Sequence, residues 1–114
     1  MNIEFYLIDY LKTALSSNDV YLTVPEGKPA TFYVIDKLGA SRENRITTSH
    51  VAIQSWADTV ANACDHNETV KALMLDSLPT KTDIASVRLN SDYPYHDTST
   101  KHPRYQAVFD IVHY

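Results

Sequence analysis

The clearest structural signal in this sequence is an alternating stretch near its end, Tyr105-Gln106-Ala107-Val108-Phe109-Asp110-Ile111-Val112. Every odd-numbered side chain in it is aromatic or aliphatic, whereas Gln106 and Asp110 interrupt the even-numbered set. Because successive side chains of a β-strand point to opposite faces, this period of two predicts a strand with one buried face. We therefore expect a fold built around a sheet.

Four further strands are predicted upstream, where β-branched and aromatic residues are concentrated. They cover residues 20–24, 31–38, 46–57 and 84–90. Three polar or proline-containing segments are predicted to connect or follow them as turns and loops. These are residues 25–29, 39–44 and 91–103.

Two helices are predicted from apolar residues that recur every three or four positions. The first covers residues 2–17 and is ended by the turn-forming residues 16–19. The second is capped by Asp58 or Thr59 and runs to Ser77, just before Pro79. Its apolar face is predicted to consist of Val60, Cys64, Val70, Leu73, Met74 and Leu78.

The predicted order of elements is α-β-β-β-α-β-β. Most of these strands can pair through hairpins, which predicts an α+β fold with a mostly antiparallel sheet and two helices packed on one face. A chain of 114 residues is long enough for one such domain, so residues 1–114 are expected to form a single unit.

The composition argues against several classes of function. The only two glycines, Gly27 and Gly39, stand apart, so neither kind of glycine-rich phosphate loop can be formed. One cysteine, Cys64, allows no disulfide framework and no cysteine-rich zinc site. A net charge of −4 without consecutive basic residues argues against specific nucleic-acid binding. With no run of ~20 apolar residues, we expect no membrane span.

One cluster has residue types suited to a metal: His96, Asp97 and His102, whose imidazole and carboxylate groups can ligate zinc. Their spacing matches no common ligand pattern, and the Thr and Ser residues between them favour a solvated loop. Cys64 falls on the predicted apolar stripe of the second helix, where a thiol acts as a small hydrophobic group. We therefore expect no enzymatic activity and no cofactor, with a small metal-dependent hydrolase as a remote alternative.

Tyrosine is unusually frequent, with eight tyrosines against three phenylalanines and one tryptophan. Tyr and Arg are enriched at protein interfaces, and both occur together in and beside the predicted loop 91–103. The predicted loop 39–44 carries arginine without tyrosine. An equally plain interpretation is that the tyrosines pack on their own domain. The candidate interface residues are Arg42, Arg45, Tyr93, Tyr95, Arg104 and Tyr105.

Four segments, in order, resemble the tail-terminator (tail-completion) proteins of long-tailed bacteriophages. Residues Val24–Val34 resemble that family's VPxxRPxxFVxV, with Lys28 where Arg is commoner. Gly39–Arg45 resembles its glycine turn and Arg-containing loop, and Val51–Ala57 resembles a strand that ends in Trp-Ala before a long helix. Tyr95–Gln106 resembles PDxxTGxPRYQ, although Thr100 replaces the glycine and extra residues precede the proline.

The resemblance implies an α+β subunit of a ring, commonly hexameric, that caps the tail tube and stops its polymerisation. It implies three partners, namely the major tail (tube) protein, the head-connector or neck protein, and other copies of the chain itself. No cofactor or catalysis is implied, and the expected location is the virion tail, assembled in the bacterial cytoplasm. A head-completion (neck) protein of similar size is the main alternative.

Overall fold

The computed structural model describes residues 1–96 and 102–114, and within them the chain forms two α-helices and a five-stranded sheet. The fold is α+β, and its helices and strands follow the predicted α-β-β-β-α-β-β order. The second helix continues into a π-helical turn, Leu73–Ser77, and a 3₁₀ turn, Leu78–Thr80, that contains Pro79. The elements are α1 Ile3–Leu15, β1 Val20–Tyr21, β2 Phe32–Glu43, β3 Ile46–Trp56, α2 Val60–Ala72, β4 Ile84–Pro94 and β5 Arg104–His113.

The sheet is mixed, with the strand order β1-β2-β3-β5-β4. Its three long pairs are antiparallel, whereas the short β1 pairs parallel with the start of β2, Val20 opposite Tyr33 and Tyr21 opposite Val34. The prediction of a mostly antiparallel sheet therefore did not include the parallel pairing of β1 with β2. Residues 22–31 are long enough to carry the chain back to the same end of the sheet, so β2 starts beside β1 and runs in the same direction.

Both helices pack on the same face of the sheet. Leu7 of α1 and Met74 of the turn after α2 lie fully buried in one cluster with sheet residues such as Phe109. Shortening a buried side chain of this kind, for example Leu7→Ala, costs about 2–5 kcal/mol. The remaining buried members of this cluster are Ile3, Leu11, Val20, Tyr33, Ile35, Val51, Ile53, Val70, Leu78, Ile84, Ala107 and Ile111.

The buried stripe of α2 agrees with the predicted one only in its later part, where Val70, Met74 and Leu78 are buried as predicted. In the first turns Val60 is half exposed and Cys64 is only partly buried, whereas Ala63 and Asn67 are buried. Asn67 lies on this face because its side-chain amide donates to the Asp92 carboxylate of β4 over 2.7 Å. A pattern of apolar residues alone does not include such a buried polar position.

The helix ends follow ordinary capping chemistry. The Asn2 side chain accepts from the Phe5 N–H at the start of α1, and Ser16 ends that helix in the left-handed conformation with φ 51°. Thr59, one of the two predicted caps, accepts from the Asn62 N–H at the start of α2.

The β2–β3 hairpin is longer than predicted. Residues 39–43 continue β2, and the predicted loop is a two-residue turn at Asn44 and Arg45, with φ values of 52° and 65°. Two successive left-handed residues are what a tight hairpin turn requires, and Asn adopts that conformation readily. Gly39 lies inside the strand with an ordinary φ, so the prediction that it forms a turn is wrong. In the described part of the chain, no helix is long and apolar enough to cross a membrane.

Candidate interaction surface

The predicted interface residues occupy two opposite ends of the sheet. We call the first the Trp56 end, formed by Phe32, Trp56, Tyr93, Tyr95 and Arg104, and the second the hairpin end, formed by residues 39–46. The two ends are joined by the eleven-residue β3, whose length is roughly 34 Å at ~3.4 Å per residue. One side chain cannot contact both ends.

At the Trp56 end, an arginine is held between two aromatic rings. The Arg104 guanidinium carbon lies 4.7 Å from the centre of the Trp56 ring and 4.2 Å from that of Tyr95. The Arg104 Nε also donates to the Tyr95 backbone carbonyl. Phe32 stacks on Trp56 with a 5.0 Å centroid separation and an 18° interplanar angle, and Trp56 is 1% exposed. Arg104 is therefore part of the packing of its own domain.

Two further residues complete this stack. The His102 ring packs edge-on against Trp56 at 5.2 Å and Phe32 at 6.0 Å, and its buried Nε2 has no hydrogen-bond partner among the described residues. The Lys28 ammonium lies 6.0 Å from the centre of the Trp56 ring. Trp56 is thus the centre around which residues from two distant parts of the sequence, 28–32 and 102–104, assemble.

A row of hydrogen-bonded side chains crosses the sheet face that carries no helix. The Trp56 indole N–H donates to Gln54 Oε1 over 3.1 Å, and the Gln54 amide donates to Gln106 Oε1 over 3.1 Å. The Gln106 amide in turn donates to the Tyr93 hydroxyl over 2.5 Å. Because an indole can only donate, the row has one direction and fixes the orientation of both amides. It ties β3, β5 and β4 together and ends at an accessible tyrosine.

Tyr93 and Tyr95 are the accessible part of the Trp56 end. Their side chains are 38% and 45% exposed and meet edge to face at 6.0 Å. Each tyrosine also contacts a side chain of β5: the Tyr93 hydroxyl accepts a hydrogen bond from Gln106, and the Tyr95 ring packs against the Arg104 guanidinium. Rigid, partly exposed tyrosines of this kind suit a protein interface, since little side-chain entropy is lost when they are covered.

Tyr105 does not join this group, although it follows Arg104 directly. It pairs with Ser55 in the register of β5, one residue from the Trp56–Arg104 pair, and strand alternation turns it toward the opposite face. There its ring meets His96 edge-on at 5.8 Å. Desolvation, followed by the nearby Cys64 thiol, raises the pKa of the Tyr105 hydroxyl.

Arg42 and Arg45 are exposed at the hairpin end. Arg42 lies in β2 opposite Thr47, and Arg45 occupies the turn itself. Within the described ranges, neither guanidinium forms an ion pair with a carboxylate. Both guanidinium groups are therefore available to a partner, whereas that of Arg104 is packed between two aromatic rings.

The histidines of the metal hypothesis lie near the Trp56 end but have other contacts. His96 Nδ1 accepts from the Arg104 backbone N–H over 3.2 Å, and His102 packs on Trp56. Asp97, the third residue of that hypothesis, lies outside the described residues. Within residues 1–96 and 102–114, no group of three or more His, Cys, Asp or Glu side chains is placed to hold a metal ion.

Sequence reasoning missed the central position of Trp56 and the role of the two glutamines. The signal that could have identified them was strand alternation, which places Gln54 and Trp56 on the same face of β3. It also missed two polar ties, Lys71 Nζ to Asp92 Oδ2 at 2.5 Å and His50 Nδ1 to Asp110 Oδ1 at 2.6 Å. The second of these lowers the pKa of the Asp110 carboxyl, mainly through the His50 hydrogen bond.

Comparison of the chain with protein-family models gave no match. Comparison with curated proteins also gave none.

Proposed function

We propose that this protein is a phage tail terminator, a subunit that assembles into a ring on the tail tube, stops its polymerisation and provides a surface for the head connector. The observation that carries the proposal is the resemblance of four sequence segments, in the order and spacing of that family. No single segment is specific, but the four together extend from Val24 to Gln106.

The way these segments fold together supports treating them as one unit. Phe32 from the first segment, Trp56 from the third and Arg104 from the fourth are direct neighbours in the register of β2, β3 and β5. The second segment, Gly39–Arg45, forms the hairpin end instead.

The two ends of the sheet have properties that suit two different contacts. A terminator subunit that contacts both the tube and the head connector needs a separate surface for each of these partners. We assign tube recognition to the hairpin end, where Arg42 and Arg45 are exposed, and connector recognition to Tyr93 and Tyr95. Protein–protein contact of this kind requires no cofactor.

Partner choice tests the proposal against the neck-protein alternative. The purified protein is mixed separately with tail tubes and with head connectors from the same genome, and binding is measured by co-sedimentation. A terminator binds tube ends, and the double variant Arg42→Ala/Arg45→Ala loses that binding. The matched control, Lys12→Ala/Lys81→Ala, removes the same charge and retains it. Binding to connectors alone would identify a neck protein and contradict the proposal.

The hydrolase alternative has its own test. The protein is purified without chelators, and its metal content is measured per chain. A terminator retains no stoichiometric metal. Retention of one metal ion per chain that is lost in a His96→Ala variant would favour the hydrolase instead.

A further inference from the structure

The sheet has two long edges without a partner strand among the described residues. On one side, β1 covers only Tyr33 and Val34, so the outer edge of β2 is open from Ile35 to Glu43. On the other side, β4 is the outermost strand and pairs only with β5. An open edge presents a row of unpaired backbone N–H and C=O groups that can template another strand.

Most residues of both open edges are exposed, although Asp92 of β4 is contacted by α2 through Asn67 and Lys71. All residues of Asp36–Glu43 are exposed apart from the partly buried Gly39, and β4 is mostly exposed from Arg88 onward. Each edge carries one large exposed aliphatic side chain, Leu38 at 56% and Leu89 at 41%. Each leucine lies at a β-bulge, since the register shifts between Lys37 and Gly39 and again just after Leu89.

The topology makes the two edges compatible with each other. The four long strands occur in the order β2-β3-β5-β4, and each neighbouring pair is antiparallel, so β2 and β4 run in opposite directions. When a second copy is placed beside the first with the same polarity, its β2 is antiparallel to the first copy's β4. Alternation therefore continues without a break from one copy to the next, and the resulting ladder is of the more stable antiparallel type.

We propose that a second copy of this chain covers these edges, with the open edge of β2 pairing antiparallel with β4 of the neighbouring copy. Pairing of β2 with β2, or of β4 with β4, stops at a dimer and leaves one edge of each chain open. The head-to-tail contact covers both edges of every copy once the ring closes. The bulges beside Leu38 and Leu89 increase local twist and bend the strands, which a closed ring of sheets requires.

This inference deepens the proposed function and rests on it for ring closure, while the edge contact itself is a property of the chain alone. It is tested with thiol cross-linking in a Cys64→Ser background. Ala40→Cys marks the β2 edge and Asn90→Cys marks the β4 edge, and a short bifunctional maleimide is added at rising protein concentration. The chain with both substitutions is expected to give a ladder of covalent multimers, and each single substitution none.

Two results would overturn the inference. Covalent dimers from Ala40→Cys alone or from Asn90→Cys alone would show that like edges meet. The absence of multimers from the double variant at the highest soluble concentration would show that the edges do not meet at all.

A second variant pair separates edge pairing from a general loss of apolar surface. Leu38→Glu places a charge on the β2 edge and is expected to abolish the ladder, because edge charges disfavour strand addition. Phe5→Glu changes a side chain of nearly equal exposure, 58%, on α1 and is expected to leave the ladder unchanged. Equal loss in both variants would contradict edge pairing.

The outcome is also separable from that of the proposed function, since these measurements contain no tail protein. Edge cross-links together with failure to cap tubes would contradict the terminator proposal and leave the edge contact standing. Capped tubes whose rings show no edge cross-links would contradict the edge contact alone.

Discussion

The Trp56 end and the hairpin end each contain arginine, yet the residue has a different role in each. Arg104 lies 4.7 Å and 4.2 Å from the centres of two aromatic rings and donates to a backbone carbonyl. Arg42 and Arg45 lie on a strand end and a tight turn whose residues are exposed on both faces. In this molecule an arginine is therefore available to a partner only where no aromatic ring of its own domain packs against it.

The largest expected change in stability comes from removing Trp56, the centre of the Trp56 end. Trp56→Ala deletes a fully buried ring that packs on Phe32, His102 and Arg104, and we expect it to lower the free energy of unfolding by about 3–5 kcal/mol. Urea unfolding measures the change. Ile46→Ala, at the hairpin end, is the control and should change stability by less than about 1 kcal/mol. Similar decreases in the free energy of unfolding in both variants would show that the Trp56 end is no more important for stability than the hairpin end.

A smaller loss is expected when Arg104 is changed. Arg104→Ala removes two cation–π contacts and should cost about 1–2 kcal/mol, whereas Arg42→Ala should stay within about 0.5 kcal/mol. Arg104→Lys keeps the charge but not the planar stacking group, and we expect it to recover only part of the loss. Full recovery by lysine, measured by the same unfolding assay, would show that charge rather than stacking holds Tyr95 in place.

Acidification is expected to lower the stability of the protein through His113, near the hairpin end. We expect this loss of stability to be smaller than that caused by Arg104→Ala. Near that end His113 is buried and its Nε2 lies 2.9 Å from Ser49 Oγ. Burial lowers the pKa of His113, so the unfolded chain binds a proton more readily, and stability falls as the pH drops below about 6.5. Thermal unfolding between neutral and mildly acidic pH checks this. His113→Gln should flatten the dependence and His66→Gln should not, and equal slopes in all three proteins would refute the assignment.

The smallest effect is a gain. Arg45 adopts a left-handed conformation with φ 65°, which glycine adopts without steric strain, so Arg45→Gly should stabilise the hairpin by about 0.5–1 kcal/mol. If Arg45 also contacts the tube, the same variant should bind tubes more weakly. Gain of stability with unchanged tube binding would restrict recognition to Arg42.

Local sequence patterns predict the helices and strands whose side chains alternate or repeat regularly, but not those that depend on pairing with a distant strand. The alternation in β5 and the apolar spacing in α1 gave both elements, and the shared burial of Leu7 and Phe109 confirms that helices and sheet meet as predicted. Residues 39–43 were predicted as a loop because Gly39 and polar residues lack a strand pattern. Their strand conformation comes from pairing with β3, which no local window contains.

The candidate surface likewise combines features that the local sequence predicts with features that depend on strand pairing. Tyr93, Tyr95 and Arg104 were grouped because they are near one another in sequence, and the structure brings them together. Tyr105 is adjacent to Arg104 in the sequence, but strand alternation puts it on the opposite face of the sheet from this group. Strand alternation places Trp56 on the same face as Gln54, but its contact with Arg104 also depends on the register of β3 with β5, which the local sequence does not contain.

The most direct test of the terminator proposal is the length of tail tubes assembled in the presence of this protein. The major tail protein of the same genome is polymerised with and without it, and the tubes are imaged by negative-stain electron microscopy. We expect shorter tubes with a narrow length distribution and a ring on one end. Tubes with the same broad length distribution as in the control, and with bare ends, would contradict it.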